Sequence, residues 1–199
     1  MGTLRLRLDT SSEQKARLLD LQAAFARLCN TLAPVVRDTR CWNRVALHHM
    51  TYRSLREQFP EIGSQMVCNA IYSVCRASRL VYQHPKSPFK AAALSDGPLP
   101  LLRFADSCPV YFDRHTLSLK AGQVSMYTLD GRMRFQLALR TEDEAAFHEQ
   151  KLREIVLSRQ ASGDFELSFW FIDANAPGEE DAPASPDEIP EYLMVEETA

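Results

Sequence analysis

The spacing of hydrophobic residues changes twice along this chain, and this change constrains the fold more than any other feature. Residues Thr3 to Asp9 alternate apolar and charged side chains, which predicts a half-buried strand. Apolar residues then recur every three or four positions, which predicts a helix that is kinked or ends near Pro34. The same spacing predicts a second helix from about Trp42 to Phe59 and a third from about Ser64 to Gln83.

The second half of the chain is typical of short antiparallel strands. A turn at Asp130-Gly131 connects two of the β-like runs, and a short helix is predicted at Glu142–Glu149. The predicted β-like runs are Leu101–Ala105, Pro109–Asp113, Leu117–Lys120, Gln123–Leu129, Arg132–Leu139, Leu152–Arg159 and Phe165–Ile172. We therefore predict an α+β fold: an oligonucleotide-binding-like β-barrel with a three-helix insertion after its first strand. In this prediction, residues 1–10 and 97–172 form the barrel, and residues 11–96 form the insertion.

Charge is distributed unevenly along the chain. Residues 173–199 contain nine acidic residues and no lysine or arginine, so the net charge of −3 hides a basic body. Residues 1–172 hold 23 basic and 17 acidic residues, a balance of +6. We expect the acidic tail, residues 173–199, to be disordered or extended. The basic body permits a nucleic-acid partner without requiring one.

Several classes of protein are disfavoured by the sequence. No apolar run approaches the ~18–20 residues of a membrane span, and the N-terminus lacks the pattern of a secretory signal. We expect a cytoplasmic protein with no membrane association. Its cysteines are odd in number, five, and that compartment is reducing, so we expect no disulfides. The absence of a CxxC pair disfavours a zinc site. The sequence contains no nucleophile elbow and no glycine-rich phosphate loop, and it predicts no metal site and no cofactor.

A polar stripe on the third predicted helix favours nucleic-acid binding. Asn69, Tyr72, Arg76 and Arg79 recur at helical spacing and combine amide, aromatic and guanidinium groups. Such groups contact base edges, sugars and phosphates. A solvated helix face explains the same spacing equally well. Arginines on the predicted strands fit the layout of oligonucleotide-binding barrels, although surface arginines on strands are common. These arginines are Arg5, Arg7, Arg103, Arg132 and Arg134.

Three stretches of the chain, in this order, resemble the OrfB/TnpB family of transposon-encoded RNA-guided nucleases, which are related to type V CRISPR effectors. The opening strand followed by TSSEQKARLLDLQAAFARLCN is similar to the family's "strand, Q-x-x-x-L, F…N" start. The stretch HHMTYRSLREQFPEIGSQMVCNAIYSVCRASRLVY is similar to its helical pair. The stretch PVYFDRHTLSLKAGQVSMYTLDGRMRFQLAL resembles its barrel strands, which end in a T-L-x-G-R hairpin. The resemblance covers about residues 3–172.

The resemblance implies a wedge domain, the barrel, with a helical recognition domain inserted after its first strand. Such domains hold a guide RNA and read a short motif in double-stranded DNA. Implied positions for reading the DNA motif are Tyr52, Ser54, Ser64, Gln65 and Asn69. Implied contacts to guide RNA and backbone are Arg5, Arg7, Tyr72, Arg76, Arg79, Arg103, Arg132 and Arg134. Tyr72 departs from the basic residue expected in the family, and Tyr52 is equally well explained as an aromatic that packs between helices.

One part of the family pattern is missing from the sequence. The family's RuvC-like nuclease domain places its first acid in a G-x-D-x-G segment, and these 199 residues contain no such segment. We therefore expect a non-catalytic binding module, acting as a regulator or as a subunit beside a separately encoded nuclease. The alternative is a protein-interaction regulator or inhibitor that uses the acidic tail.

Overall fold

A computed structural model describes residues 2–91, 97–172 and 189–197. Within these ranges the chain forms four helices and nine strands. The helices are α1 (Ser12–Thr39), α2 (Arg44–Gln58), α3 (Ser64–Tyr82) and α4 (Thr141–Glu149). The strands are β1 (Gly2–Arg7), β2 (Leu101–Phe104), β3 (Val110–Phe112), β4 (Leu117–Lys120), β5 (Gln123–Thr128), β6 (Gly131–Gln136), β7 (Lys151–Arg159), β8 (Phe165–Ile172) and β9 (Leu193–Glu196).

The strands form three antiparallel sheets. One has the order β1-β8-β7-β3, the second pairs β2 with β9, and the third has the order β4-β5-β6. The predicted α+β class is confirmed, and so is the order of one strand, three helices and then further strands. The prediction of a closed barrel is wrong, because within the described ranges the strands form three separate sheets that do not close on themselves. Strand β2, which the sequence predicts to be part of the barrel, pairs instead with β9 near the C-terminus.

The chain divides into two compact units, and the boundary falls inside α1. The sheet unit comprises the described residues 2–22 and 109–172. It contains the four-stranded and the three-stranded sheet. Alternate residues of β8 supply its core, including the fully buried Phe169 and Phe171. Phe147 of α4 lies edge-on against both rings, at centroid distances of 5.1 and 5.0 Å. This geometry is favourable for aromatic pairs and holds α4 against the sheet.

The helix unit comprises the described residues 23–91, 97–108 and 189–197. Its helices bury apolar stripes that include Leu47 and Leu55 on α2. The carboxamide of Asn30 on α1 both donates to and accepts from the backbone of Phe104, at 2.8 Å in each direction. This pair of bonds satisfies β2 on the side away from its partner strand. The Tyr82 hydroxyl donates to the carbonyl of Pro100 at 2.6 Å and fixes the chain that leads into β2.

Two elements differ from the sequence prediction. The sequence predicted a kink or an end near Pro34, and the end is wrong: helix α1 continues to Thr39. Residues on both sides of the proline are buried, among them Ala33 and Val36. That burial offsets the hydrogen bond that proline cannot donate. The predicted acidic tail lies outside the described residues at 173–188 and 198–199. Its described part contains β9, whose Leu193 is buried.

None of the helices in the described ranges has the length and apolar character needed to cross a bilayer.

Candidate nucleic-acid interface

The three-stranded sheet carries a continuous polar face. Strand β5 is central, and its Ser125 lies opposite Ser118 of β4 and Arg134 of β6. Because alternate residues of a strand point to the same side, this register places eight polar or aromatic positions on one face. They are Ser118, Lys120, Gln123, Ser125, Tyr127, Arg132, Arg134 and Gln136. We call these eight residues the hairpin face.

The other side of the same sheet is apolar and buried. Val124, Met126, Met133 and Phe135 are at most 5% exposed. Alternation of buried apolar and exposed polar residues fixes the register, since a slip of one residue would exchange the two faces. On the hairpin face, Lys120, Arg132 and Arg134 are exposed.

Tight turns and one arginine hold the sheet in shape. Ala121 and Gly122 form the two-residue loop between β4 and β5, and both have positive φ, 49° and 72°. Two-residue hairpin loops that match the twist of the strands require this conformation. At the other turn Gly131 has a φ of 90°, in agreement with the predicted Asp130-Gly131 turn. Arg17 of α1 donates to the Thr128 hydroxyl at 2.7 Å and to the carbonyl of Asp130 at 3.1 Å. The tip of the β5–β6 hairpin is thereby anchored to the first part of α1, which belongs to the sheet unit.

The hairpin face is positively charged. It contains three cations, and none of its eight residues carries a carboxylate. Arg132 is fixed across the sheet, because its guanidinium donates to the Ser125 hydroxyl at 2.9 Å and to the Ser125 carbonyl at 2.7 Å. Lys120 and Arg134 make no ion pair with any residue in the described ranges. This face therefore presents cationic groups to solvent, and Tyr127 lies on it in register opposite Arg132.

The two predicted arginines of β1 lie on a surface with less net positive charge than the hairpin face. Arg5 and Arg7 are both exposed on the same side of the strand, as the alternation predicted. Arg7 forms an ion pair with Asp164 at 2.8 Å and lies opposite Glu166 of β8. The two neighbouring carboxylates offset much of its charge, so β1 offers a weaker anion surface than the hairpin face.

The predicted stripe on α3 is only partly accessible. Asn69 is 5% exposed, within hydrogen-bond distance of the Met66 sulfur at 3.8 Å, so it lies in the core rather than on a solvated face. Tyr72 is half-buried, with the guanidinium of Arg44 5.3 Å from its ring centre. Arg76 is also half-buried, and Arg79 lines a surface pocket at the end of the helix.

The remaining predicted DNA-reading residues are spread over α2 and the start of α3. Tyr52 is half-buried and stacks against His48, with ring centres 4.6 Å apart. Ser54 is exposed and accepts a hydrogen bond from Gln58 at 2.8 Å. Ser64 is the exposed first residue of α3, and Gln65 beside it is half-buried. Their role in reading DNA remains a prediction.

Acidic and aromatic residues near the C-terminus approach two of the predicted RNA contacts. Nε of Arg103 lies 3.1 and 3.2 Å from the two carboxylate oxygens of Glu196, in the paired strands β2 and β9. Burial raises the pKa of Tyr192 to about 12, and the charge of Arg76 opposes that rise. Both predicted contacts therefore face residues of the C-terminal segment.

Sequence reasoning identified Arg132 and Arg134 but missed two partners on the same face. Lys120 and Tyr127 come from β4 and β5, and only the strand register places them on the same face as those arginines. The signal was present in the sequence, because Lys120 and Tyr127 occupy the polar positions of their alternating runs.

No protein-family model matches this chain, and no curated protein matches its sequence.

Proposed function

We propose that this chain is a non-catalytic nucleic-acid-binding module that resembles the wedge and recognition domains of TnpB-type RNA-guided nucleases. It binds a guide-type RNA, double-stranded DNA or both, as a regulator or beside a separate nuclease subunit. The observation that carries the proposal is the hairpin face, which combines three cations and an aromatic ring with no carboxylate.

The chemistry of the hairpin face suits a polynucleotide better than a small anion. Alternate residues of a strand lie about 7 Å apart and neighbouring strands about 5 Å apart, so Lys120 and Arg134 are roughly 12 Å from each other. Cations at such spacing are too far apart to hold one small anion but can contact separate phosphates of one strand, while Tyr127 offers a ring on which a base stacks. Ser118, Gln123 and Gln136 add donors and acceptors for sugars and base edges.

The order of elements also supports the proposal. Three helices separate β1 from the later strands, and β1 nevertheless pairs with β8. A helical insertion after the first strand is what the resemblance implies. We propose that the sheet unit is an opened form of an oligonucleotide-binding-like barrel, in which β2 has moved to pair with β9.

Binding of RNA is tested by measuring affinity over a range of salt concentrations. A fluorescently labelled structured RNA and a labelled duplex DNA are titrated with the purified chain, with and without Mg²⁺. We expect affinity to fall steeply with salt, because lysine and arginine side chains that neutralise phosphates release counterions from the nucleic acid. We also expect the RNA and DNA to remain intact, since the sequence contains no G-x-D-x-G segment. Absence of binding at low salt, or cleavage of either probe, would refute the proposal.

The contact between Glu196 and Arg103 favours a second candidate, a protein-interaction regulator whose acidic tail imitates nucleic acid. Removal of the tail is a poor test, because Leu193 of β9 is buried. Glu196→Gln disturbs the fold less, because the side chains of Glu196 and Arg103 are each about half exposed. Under the first candidate this change leaves RNA affinity equal or raises it. If the chain binds no nucleic acid but retains a protein partner from its source cells, and loses that partner on Glu196→Gln, the second candidate is correct.

A further inference from the structure

The helix unit contains an open surface pocket of about 390 Å³ where α1 connects to α2 and α3 ends. This volume lies within the range of small-ligand sites. Its lining residues are Arg40, Cys41, Trp42, Asn43, Arg79 and Gln83. The pocket residues belong to the helix unit, and the hairpin face belongs to the sheet unit.

The wall formed by the connection between α1 and α2 is held in place by defined contacts. Arg40 has a φ of 49°, a left-handed conformation that turns the chain sharply after α1, and its guanidinium donates to the carbonyl of Gly97. Asn43 caps α2 by accepting a hydrogen bond from the amide of Ala46 at 3.0 Å. These bonds fix the backbone on which Trp42 is carried.

The aromatic wall is braced from the core. The ring of Trp42 contacts that of Tyr82, with centres 5.4 Å apart. Tyr82 is itself 1% exposed and hydrogen-bonded to Pro100. An indole supported in this way offers a pre-organised surface for a planar ligand, because little side-chain freedom is lost on stacking.

The charge of the pocket favours an anion. Two guanidiniums line it, and none of its six lining residues is acidic. The nearby carboxylate of Asp38 is engaged by Arg37 at 2.7 Å. Guanidinium groups bind phosphate with good geometry, and the amides of Asn43 and Gln83 supply groups that hydrogen-bond the edge of a base.

We propose that this pocket binds one unpaired nucleotide of an RNA strand, with its phosphate at Arg40 and Arg79 and its base against Trp42. The proposal rests on the proposed nucleic-acid-binding function and adds a site for a single base to it. The hairpin face contacts the strand through charge and stacking, whereas the pocket holds one nucleotide in a defined position.

Fluorescence of Trp42 provides the test. The chain has two tryptophans, so Trp170→Phe leaves Trp42 as the reporter, and circular dichroism checks that this variant is folded. We expect adenosine monophosphate and a short oligoadenylate to quench the emission. Adenosine without phosphate should bind about tenfold or more weakly, since it lacks the charge-assisted hydrogen bonds to the arginines. Arg79→Gln should weaken the nucleotide by a similar factor, and Arg79→Lys should restore part of the affinity.

The matched control is Arg53→Gln, which removes an equal charge from an exposed position on α2 outside the pocket lining. It should leave quenching by the nucleotide unchanged. Quenching that is absent, or is equal in the Arg79→Gln and control variants, overturns the pocket proposal. The full chain is titrated in parallel with a long labelled RNA. Salt-dependent binding of that RNA without quenching refutes the pocket alone, while loss of both refutes the proposed function as well. If folding of Trp170→Phe fails, photocrosslinking of oligoadenylate to the wild-type chain replaces quenching, and absence of a crosslink at residues 40–43 is then the refuting result.

Discussion

Neutralising two cations of the hairpin face should reduce both RNA affinity and its salt dependence. The change is Lys120→Gln with Arg134→Gln. Arg132 is left intact, because its hydrogen bonds to Ser125 hold β5 and β6 together. Each phosphate contact on a single strand contributes about 0.7 to the slope of log affinity against log salt, so the slope should fall by about 1.4. Since this contribution vanishes near 1 M, affinity at about 0.15 M salt should drop roughly tenfold or slightly more.

The assay is fluorescence anisotropy of a labelled RNA at several salt concentrations. A control variant with Arg27→Gln and Lys151→Gln loses the same charge from exposed positions outside the hairpin face. We expect its affinity and slope to remain close to those of the wild type. If both double variants lose affinity equally, the chain attracts RNA only through its overall charge, and the assignment of the hairpin face is wrong. An unchanged slope in the hairpin-face variant would refute the reasoning outright.

Three further predictions test the fold that positions these sites. Burial raises the pKa of Tyr82 to about 12 from 10.0, so the folded state favours the neutral phenol. Its contribution to the free energy of unfolding is complete below about pH 10 and decreases by about 3 kcal/mol as the pH rises towards 12. Urea unfolding of the wild type and of Tyr82→Phe across this pH range would show the difference. The half-buried thiols of Cys41 and Cys68 should react with iodoacetamide in the native chain. The other three thiols are at most 1% exposed and should react only after unfolding. Mass spectrometry shows the order in which the five cysteines are alkylated. Leu193→Ala should cost about 2–3 kcal/mol by loss of buried surface, and Met194→Ala, at 50% exposure, should cost far less.

Local patterns predicted the elements of the fold well but not how they assemble. The strands from Leu117 to Gln136 and the helix from Ser64 appear where periodicity and turn residues indicated, because these signals act over a few residues. Strand β9 was missed because it is short and lies in an acidic segment whose composition suggests disorder. Its partner β2 lies about ninety positions away in sequence, and pairing of that kind depends on tertiary packing rather than local propensity. The prediction of a closed barrel failed for this reason.

The sequence predicted some residues of the candidate interface but not how they are brought together. The sequence placed Arg132 and Arg134 on a predicted strand, and both lie exposed on one face of β6, since strand periodicity is a local property. The sequence did not reveal that Lys120 and Tyr127 share this face, because register depends on the turns that connect the strands. Helical spacing placed Asn69 on a polar stripe, yet the side chain is buried, since the spacing of polar residues does not show which face packs against the core.

The central claim is that the hairpin face contacts RNA directly, and ultraviolet crosslinking followed by mass spectrometry of the peptides tests it most directly. Complexes of the wild-type chain with RNA are irradiated at moderate salt and digested, and the crosslinked residues are mapped. We predict crosslinks in residues 117–136, with Tyr127 prominent among them because its ring stacks on a base. Crosslinks that fall only outside this segment, in a chain that binds RNA, would contradict the claim.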